Sequence, residues 1–142
     1  MKWAGCGQPL NAAHVKWLDD RIGGRIDYRK CPSLGVYRDE LIAVVIFHDW
    51  NPEAGVICMS AAGDDPRWMS RAVIKAAHSY PFDQLNCQQV IWQVSERNEP
   101  MLSIAKRLGY ELHFIPRMRG RDEGEYLCLL TDSTWRASKF SK

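Results

Sequence analysis

The sequence predicts an α/β domain of the mixed α+β kind, built on one sheet that helices cover. Three observations lead to this expectation. Apolar segments with strand character alternate with amphipathic helical patterns, pairs of strands occur as hairpins in the middle and at the end of the chain, and a helical crossover separates two further strands. The 142 residues show no repeats and no linker-like stretch. We therefore expect a single domain over residues 1–142.

Composition and charge exclude few classes of function. With 46% apolar and 25% charged residues the chain is ordinary for a globular protein, and a net charge of +2 does not by itself indicate nucleic-acid binding. No apolar run approaches the roughly 20 residues of a membrane span, and the N-terminal segment lacks a signal-like apolar core. These features favour a cytoplasmic protein. The five cysteines are widely spaced and form no C-x-x-C pair, so we expect reduced thiols and no metal.

The first half of the chain is expected to form a short helix and three antiparallel strands. Asn11 can cap the helix, and Gly23 with Gly24 can end it. The segments LGVYR and LIAVVIFHDW flank a polar DE pair and predict a hairpin whose second arm lies centrally in the sheet. The turn NPEAG then leads into the buried strand VICMSAA.

A second helix is expected within GDDPRWMSRAVIKAAHSY. Asp64 or Asp65 can cap it, and Pro66 fits its first turn. Its expected apolar face consists of Trp68, Met69, Ala72, Val73, Ala76 and Ala77. The strand QQVIWQVS follows this helix.

The third helix, within NEPMLSIAKRLGY, has the best-marked ends. Asn98 can accept an unpaired amide proton of the first turn, and Gly109 can adopt the left-handed conformation that ends a helix. One apolar stripe contains Met101, Leu102, Ile104, Ala105 and Leu108. The segments YELHFIPRM and EYLCLLTD then predict a closing hairpin across the charged turn RGRDEG.

This order of elements, together with SERNEPMLSIAKRLGYELHF, resembles the GNAT superfamily of acyl-CoA-dependent N-acyltransferases. The resemblance runs from about Leu34 to Trp135, and its most specific part runs from Asn98 to Tyr110. The small size is similar to that of GNAT-like proteins encoded by bacteriophages, which would act in an infected host cell. The resemblance implies a GNAT-like, mostly antiparallel mixed sheet with a central parallel pair, VICMSAA and QQVIWQVS. These two strands would diverge at their C-terminal ends and hold acetyl-CoA between them.

The resemblance also implies which residues bind the cofactor. Backbone groups near Met59 and Ala61 would pair with the pantetheine arm and stabilise the developing oxyanion. Asn98 would contact the pantetheine, a role that is compatible with helix capping. The pyrophosphate would lie at the loop in which Trp68 and Ser70 occupy the glycine positions of the family.

Charged and aromatic side chains could assist at that loop. Arg67, Arg71 and Lys75 are spaced to form a basic row along the helix, with Arg67 or Arg71 facing the phosphates, although a solvated charged face explains the same spacing. Trp50 and Trp68 lie beside loops at the expected site and could stack on a ligand.

Catalysis requires a general base for the amine. Glu53 is the first candidate, because the family often places a glutamate at the head of this strand, but it is also an ordinary turn residue. His48, with Asp49, ends the preceding strand and could line the same cleft, or could be a satisfied edge residue. Ala105 stands where many family members have a tyrosine that protonates the departing thiolate. Either another group protonates the thiolate, or the domain no longer transfers an acyl group.

Two functions remain open at this stage. The first is an N-acyltransferase that moves an acetyl group from acetyl-CoA to an amine of a small molecule, a protein or a nucleic-acid base. The second is a GNAT-fold binding or nucleic-acid-modifying protein, similar to the phage Mom type, without ordinary acetyl transfer. Arg117, Arg119 and Arg121 on the closing hairpin could contact phosphate, but the neighbouring acidic residues favour a self-neutralised turn. The sequence also leaves a homodimer open.

Overall fold

The computed structural model describes residues 2–9, 12–21, 31–65 and 67–142, and the structural statements below concern these residues. The strands are Lys2–Pro9 (β1), Pro32–Arg38 (β2), Glu40–Asn51 (β3), Val56–Gly63 (β4), Gln89–Ser95 (β5), Glu111–Gly120 (β6) and Glu123–Thr131 (β7). The helices are Ala12–Asp19 (α1), Arg71–Ser79 (α2), Glu99–Leu108 (α3) and Asp132–Ala137 (α4), with a π-helical turn at Tyr80–Gln84 and a 3-10 turn at Lys139–Ser141. The strands form one sheet in the order β1-β2-β3-β4-β5-β7-β6.

The central strands β4 and β5 are parallel, whereas the other neighbouring pairs are antiparallel. Their pairing begins with Val56 opposite Gln89 and ends with Cys58 opposite Ile91, although β4 continues to Gly63. The two strands therefore diverge toward their C-terminal ends, and α2 makes the crossover that a parallel pair requires. This confirms the expected fold class and the expected central pair.

The sheet is covered differently on its two faces. The larger core lies on the face that carries α2 and α3, and it includes Phe47 of β3, Trp92 of β5 and Trp135 of α4. On the opposite face a smaller cluster joins Leu18 of α1 to Val44 and Ile46 of β3. Successive residues of β3 thus serve opposite faces, as the alternation of a strand requires.

Helix α3 and both hairpins agree with the sequence. The Asn98 side chain accepts a hydrogen bond from the Met101 amide at 3.3 Å, and Gly109 ends the helix with φ of 97°. The strands β2 and β3 form the first hairpin, and β6 and β7 form the closing one. In each case a local signal, a cap or a tight polar turn, was sufficient to predict the element.

Helix α2 begins later than expected. Its N-cap is Ser70, whose Oγ accepts a hydrogen bond from the Val73 amide at 3.3 Å. The Asp65 carboxylate accepts instead from the Arg67 amide at 2.9 Å, within the loop that precedes the helix. The buried face also differs, since Ala72 is exposed while Val73, Ile74, Ala77 and His78 are buried.

One strand and one α-helix were not predicted. Strand β1 pairs antiparallel with β2 at the edge of the sheet, and its glycines obscure the alternation that identifies a strand. Helix α4 follows β7 directly, where Thr131 caps it by accepting from the Thr134 amide at 3.3 Å. Helix α1 was predicted, but it ends at Asp19. The expected roles of Asn11, Gly23, Gly24 and Pro66 lie outside the described residues.

Candidate active site

The divergence of β4 and β5 opens a groove between two strand edges. From Met59 to Gly63, β4 keeps its pairing with β3 but has no partner on its other side among the described strands. Strand β5 likewise keeps β7 as a partner through Ser95. At such edges alternate residues direct an unpaired N–H and C=O outward. The groove can therefore hydrogen-bond an extended ligand on both sides, and the predicted residues Met59 and Ala61 lie on its β4 edge.

Side chains close one face of the groove at the point of divergence. The Trp92 indole Nε1–H donates to the Met59 sulfur at 3.3 Å, and both residues are buried. Trp92 also packs on Tyr110, with 4.2 Å between the ring centroids. This aromatic layer belongs to the larger core, so a ligand in the groove would lie on an apolar floor.

On the opposite face, three polar side chains form a connected chain of hydrogen bonds. His48 Nδ1 lies 2.6 Å from an Asp49 carboxylate oxygen, and His48 Nε2 lies 2.8 Å from Ser60 Oγ. An ionised carboxylate can only accept, so Nδ1 carries the proton, and in a neutral ring Nε2 accepts from the Ser60 hydroxyl. This order of serine, histidine and aspartate is that of a nucleophile activated by an oriented base.

The fold brings these residues together through the β3–β4 register. Cys58 lies opposite His48 and Ser60 lies opposite Ile46, so the side chains of His48 and Ser60 share one face. Asp49 would point to the other face in a regular strand. It has φ of 53°, and the register shifts between His48 and Asn51, which indicates a bulge that turns the carboxylate back toward the imidazole.

The environment of the cluster is asymmetric. His48 is buried, whereas the Asp49 side chain is 76% exposed, so solvent or a ligand approaches from the aspartate side. The Cys58 sulfur is part of the same cluster, because its ligand atom and those of His48 and Asp49 lie within 4.8 Å of one another. Burial, and then the charge of Asp49, raise the pKa of the Cys58 thiol, which favours its neutral form.

Both ring nitrogens of His48 are hydrogen-bonded to protein groups, so a metal ion would have to displace one of these groups. The prediction that the protein has no metal is not tested by this arrangement and stays a prediction.

Glu53 does not lie in this cluster. It is exposed in the turn between β3 and β4, before the paired start of β4 at Val56. The groove begins at the other end of that paired segment, beyond Cys58. The structure therefore places His48 at the groove and leaves Glu53 at the tip of the hairpin.

The loop from Asp64 to Ser70 leads from the groove into α2. Its Asp65 carboxylate pairs with Arg38 at 3.1 Å and accepts from the Arg67 amide, and this backbone hydrogen bond is the main cause that lowers the pKa of Asp65. Because Ser70 is the cap and Asp65 is not, the amides of Arg71 and Ala72 in the first turn of α2 have no intrahelical acceptor. Such a helix start suits an anion.

The helical row of arginines and the environment of Trp68 differ from expectation. Arg67 lies before α2, so it does not form a helical row with Arg71 and Lys75. Arg71 donates to the Lys139 carbonyl at 2.7 Å. Trp68 is buried, and its ring fills the space over Gly63, so it is part of the core. Trp50 is 48% exposed, and its stacking on a ligand stays a prediction.

Two predicted positions lie on α3. Asn98 follows the end of β5 by three residues, at the wide end of the groove, and its side-chain oxygen is already engaged in capping. Ala105 has no exposed surface and belongs to the core. Ser60 was not predicted, and a regular register counted from the Asn51–Val56 pair would place it opposite Phe47, on the other face from His48; the shift between His48 and Asn51 brings the two side chains to one face.

None of the described helices combines the length and the apolar character that crossing a membrane requires. Neither a family model nor a curated protein matches the sequence. Solved structures do match. The spermidine/spermine N-acetyltransferase SpeG from Vibrio cholerae in complex with manganese ions is 12% identical, with 96% of each chain covered and a TM-score of 0.75.

Two further solved acetyltransferase structures are also similar to this chain in fold. A chimera of the Vibrio cholerae spermidine N-acetyltransferase SpeG and hSSAT is 12% identical, with 95% of this chain and 98% of that chain covered and a TM-score of 0.75. The ribosomal-protein-S5-alanine acetyltransferase from Vibrio fischeri is 14% identical, with coverages of 74% and 63% and a TM-score of 0.61. At these identities the similarity concerns the fold, and it agrees with the diverging parallel pair. The chain therefore has the fold of the GNAT N-acetyltransferases.

Proposed function

We propose that this protein is an N-acetyltransferase that transfers the acetyl group of acetyl-CoA to an amine. The observation that carries this proposal is the groove between β4 and β5, whose two unpaired strand edges begin directly after Cys58 and Ile91. An extended amide-containing arm such as pantetheine matches these edges, because it can both donate and accept hydrogen bonds along its length. The fold shared with acetyltransferases supports the same proposal.

The proposed cofactor path continues from the groove to the start of α2. The pyrophosphate would accept from the amides of Arg71 and Ala72, and Arg67 and Arg71 would add charge-assisted hydrogen bonds. The Arg67 side chain is 73% exposed and can turn toward a phosphate. Trp68 and Ser70 shape this loop, as a core anchor and a cap, and do not need to contact the cofactor through their side chains.

The proposed catalytic base is His48. Its Nε2 is hydrogen-bonded to Ser60, which follows the paired part of β4, and Asp49 on Nδ1 would stabilise the imidazolium that forms when the ring takes a proton. Amides on the β4 edge between Met59 and Ala61 would face the developing oxyanion. The exposed carboxylate of Asp49 would also attract a cationic acceptor, so a polyamine such as spermidine, the substrate in the name of the Vibrio cholerae proteins, is the first acceptor to test.

Calorimetric titration with acetyl-CoA tests the cofactor. We expect binding by the unmodified protein and about tenfold to hundredfold weaker binding by an Arg67→Ala, Arg71→Ala double variant, which corresponds to about 1.4–2.7 kcal/mol. A matched double variant, Arg107→Ala with Arg136→Ala, removes two other exposed arginines and should bind as the unmodified protein does. Absence of binding heat together with an unchanged melting temperature at high ligand concentration would reject the proposal.

Release of the CoA thiol in the presence of a panel of amines tests the base. A His48→Gln variant should lose about 10²–10⁴ in kcat/KM, the usual contribution of general base catalysis, and should still bind acetyl-CoA. Glu53→Gln serves as the comparison, because Glu53 lies away from the groove, and its activity should stay within about twofold of the unmodified protein. The reverse result would return the role of base to Glu53.

A further inference from the structure

The geometry points to Ser60 as an acyl carrier, so that the acetyl group passes from CoA to the Ser60 hydroxyl and from there to the amine. This inference rests on the proposed function of the groove and concerns the route of the transfer. It assigns a covalent step to a side chain whose hydroxyl is already hydrogen-bonded to an oriented imidazole.

Three observations place Ser60 for this step. Its Oγ lies 2.8 Å from His48 Nε2, within the distance for proton transfer, and Asp49 holds Nδ1 at 2.6 Å. Ser60 lies two residues beyond Cys58, the last β4 residue that pairs with β5, so its backbone borders the groove. Ser60 is partly exposed, and its side chain lies on the face away from the Met59–Trp92 floor. A thioester carbonyl in the groove would therefore meet Ser60 on the catalytic face.

The first half-reaction balances within these groups. Ser60 Oγ attacks the thioester carbonyl carbon while its proton passes to His48 Nε2, and a tetrahedral oxyanion forms. As the oxyanion collapses, the carbon–sulfur bond breaks and the Nε2 proton passes to the departing sulfur. The products are an ester on Ser60, a neutral imidazole and CoA with a free thiol.

This route supplies the proton donor that Ala105 cannot supply. Ala105 is fully buried and has no ionisable group, so α3 offers no acid to the thiolate at this position. In the serine route the proton that His48 has just accepted lies beside the reacting carbon and hence beside the leaving group. The base of the attack becomes the acid of the departure, as in other acyl-serine enzymes.

The second half-reaction returns the site to its starting state. The amine attacks the Ser60 ester, its proton passes to His48 Nε2, and the carbon–oxygen bond to Ser60 breaks. Ser60 Oγ takes the proton from Nε2, and the amide product leaves. Cys58 is a poorer carrier, because burial holds its thiol in the neutral form and no hydrogen bond joins its sulfur to His48 among the described contacts.

Two experiments without any amine test the inference. Protein that is incubated with acetyl-CoA and then quenched in acid should gain the mass of one acetyl group on the peptide that contains Ser60. Alkaline hydroxylamine should remove this group, and neutral hydroxylamine, which would cleave a thioester on Cys58, should leave it in place. If the ester does not accumulate, isotopically labelled CoA should still exchange into acetyl-CoA, because the first half-reaction is reversible. Ser60→Ala should lose both signals, and Ser103→Ala, which alters an exposed serine on α3, should retain both.

The outcomes separate this inference from the proposed function. Acetyl-CoA binding and amine acetylation without adduct or exchange would show direct transfer and overturn the role of Ser60 alone. The same conclusion would follow if Ser60→Ala lost turnover while the unmodified protein showed neither adduct nor exchange, since Ser60 would then only relay a proton. Failure of acetyl-CoA to bind would overturn the proposed function together with the inference.

Discussion

At the scale of one residue, the burial of Ala105 determines what a substitution at this position can do. It has no exposed surface and packs on α3 beside Leu102 and Leu108. We expect Ala105→Tyr to lower the free energy of unfolding by about 1–3 kcal/mol, because a ring does not fit a closed core. Turnover should not rise.

The matched control for this prediction is Ser103→Tyr on the exposed side of the same helix, which should change stability by no more than about 0.5 kcal/mol. Chemical denaturation of both variants measures the difference. An Ala105→Tyr protein that is as stable as the unmodified one and turns over faster would show that the position opens into the groove.

His78 links stability to pH. Its Nδ1–H donates to the Ile74 carbonyl, Tyr110 donates to its Nε2, each at 2.8 Å, and its ring stacks on Trp135 with centroids 4.6 Å apart. Burial lowers the pKa of His78 from 6.5 to about 4. Between these values the unfolded chain binds a proton that the folded protein does not bind, so stability falls as pH falls. The total loss should be about 3 kcal/mol, complete below about pH 4 and absent above about pH 6.5.

Urea unfolding at about pH 7 and about pH 4.5 measures this effect. Burial also lowers the pKa of His14, which contributes in the same direction. His78→Gln keeps a donor and an acceptor but has no charge to gain, so its stability should depend less on pH. An equal pH dependence in the variant and the unmodified protein would contradict the assignment to His78.

The candidate site was only partly predictable from residue identities. His48 and Asp49 were recognised as groups at a strand end, but their hydrogen bond depends on a left-handed Asp49, and nothing in the local sequence requires that conformation. Family position favours Glu53 as the base, and this stays a prediction; the structure shows Glu53 exposed in the turn before β4, whereas the groove begins beyond Cys58. The role of Ser60 depends on the register between β3 and β4, which cannot be derived from residue identities alone.

At the scale of elements, the junction between α3 and β6 depends on Gly109. Its φ is 97°, and a Cβ built there would lie 2.9 Å from Thr134 Cγ2. The left-handed conformation costs a non-glycine residue about 1–2 kcal/mol. Gly109→Ala should lower the free energy of unfolding by more than this amount, because the added Cβ also meets Thr134.

A double-variant cycle separates the backbone cost from the contact. Thr134→Ser removes Cγ2 and keeps the hydroxyl that bonds Thr131. The loss caused by Gly109→Ala should be smaller in the Thr134→Ser protein. Equal losses in both backgrounds would show that the contact contributes nothing.

The sequence predicted those elements whose ends are marked within their own segment. It did not predict a helix start for which several residues can serve as the cap, or a strand that depends on pairing with a distant one. Helix α3 has a cap and a terminating glycine within its own segment. The predicted start of α2 was wrong because Asp64, Asp65 and Ser70 can all cap a helix. In the structure the Asp65 carboxylate accepts hydrogen bonds from Arg67 and Arg38 and does not cap α2. Pairing with β2 stabilises β1 at an edge, a tertiary effect that its own sequence does not signal.

At the scale of the whole molecule, the unpaired edges of the groove should be visible by hydrogen exchange. Amides of Val56–Cys58 lie between two partner strands and should exchange slowly. Alternate amides between Met59 and Gly63 that face the groove should exchange faster in the free protein. Acetyl-CoA should slow the exchange of these amides, and unchanged exchange at saturation would show that the ligand does not lie between the strands.

The sheet order also divides the chain into two consecutive pieces. Strands β1 to β4 all precede the loop at Arg67, and β5, β7 and β6 all follow it. Each piece keeps its own antiparallel pairs, and among the described strands the two pieces join only where Val56–Cys58 pair with β5. Side chains add to this junction, as Phe47 of the first piece meets Tyr80 of the second edge to face at 4.8 Å between ring centroids. A protein cut at the exposed Arg67 is thus equivalent to a heterodimer whose subunits meet at this pairing beside the groove, and acetyl-CoA bound to both strand edges would strengthen their association.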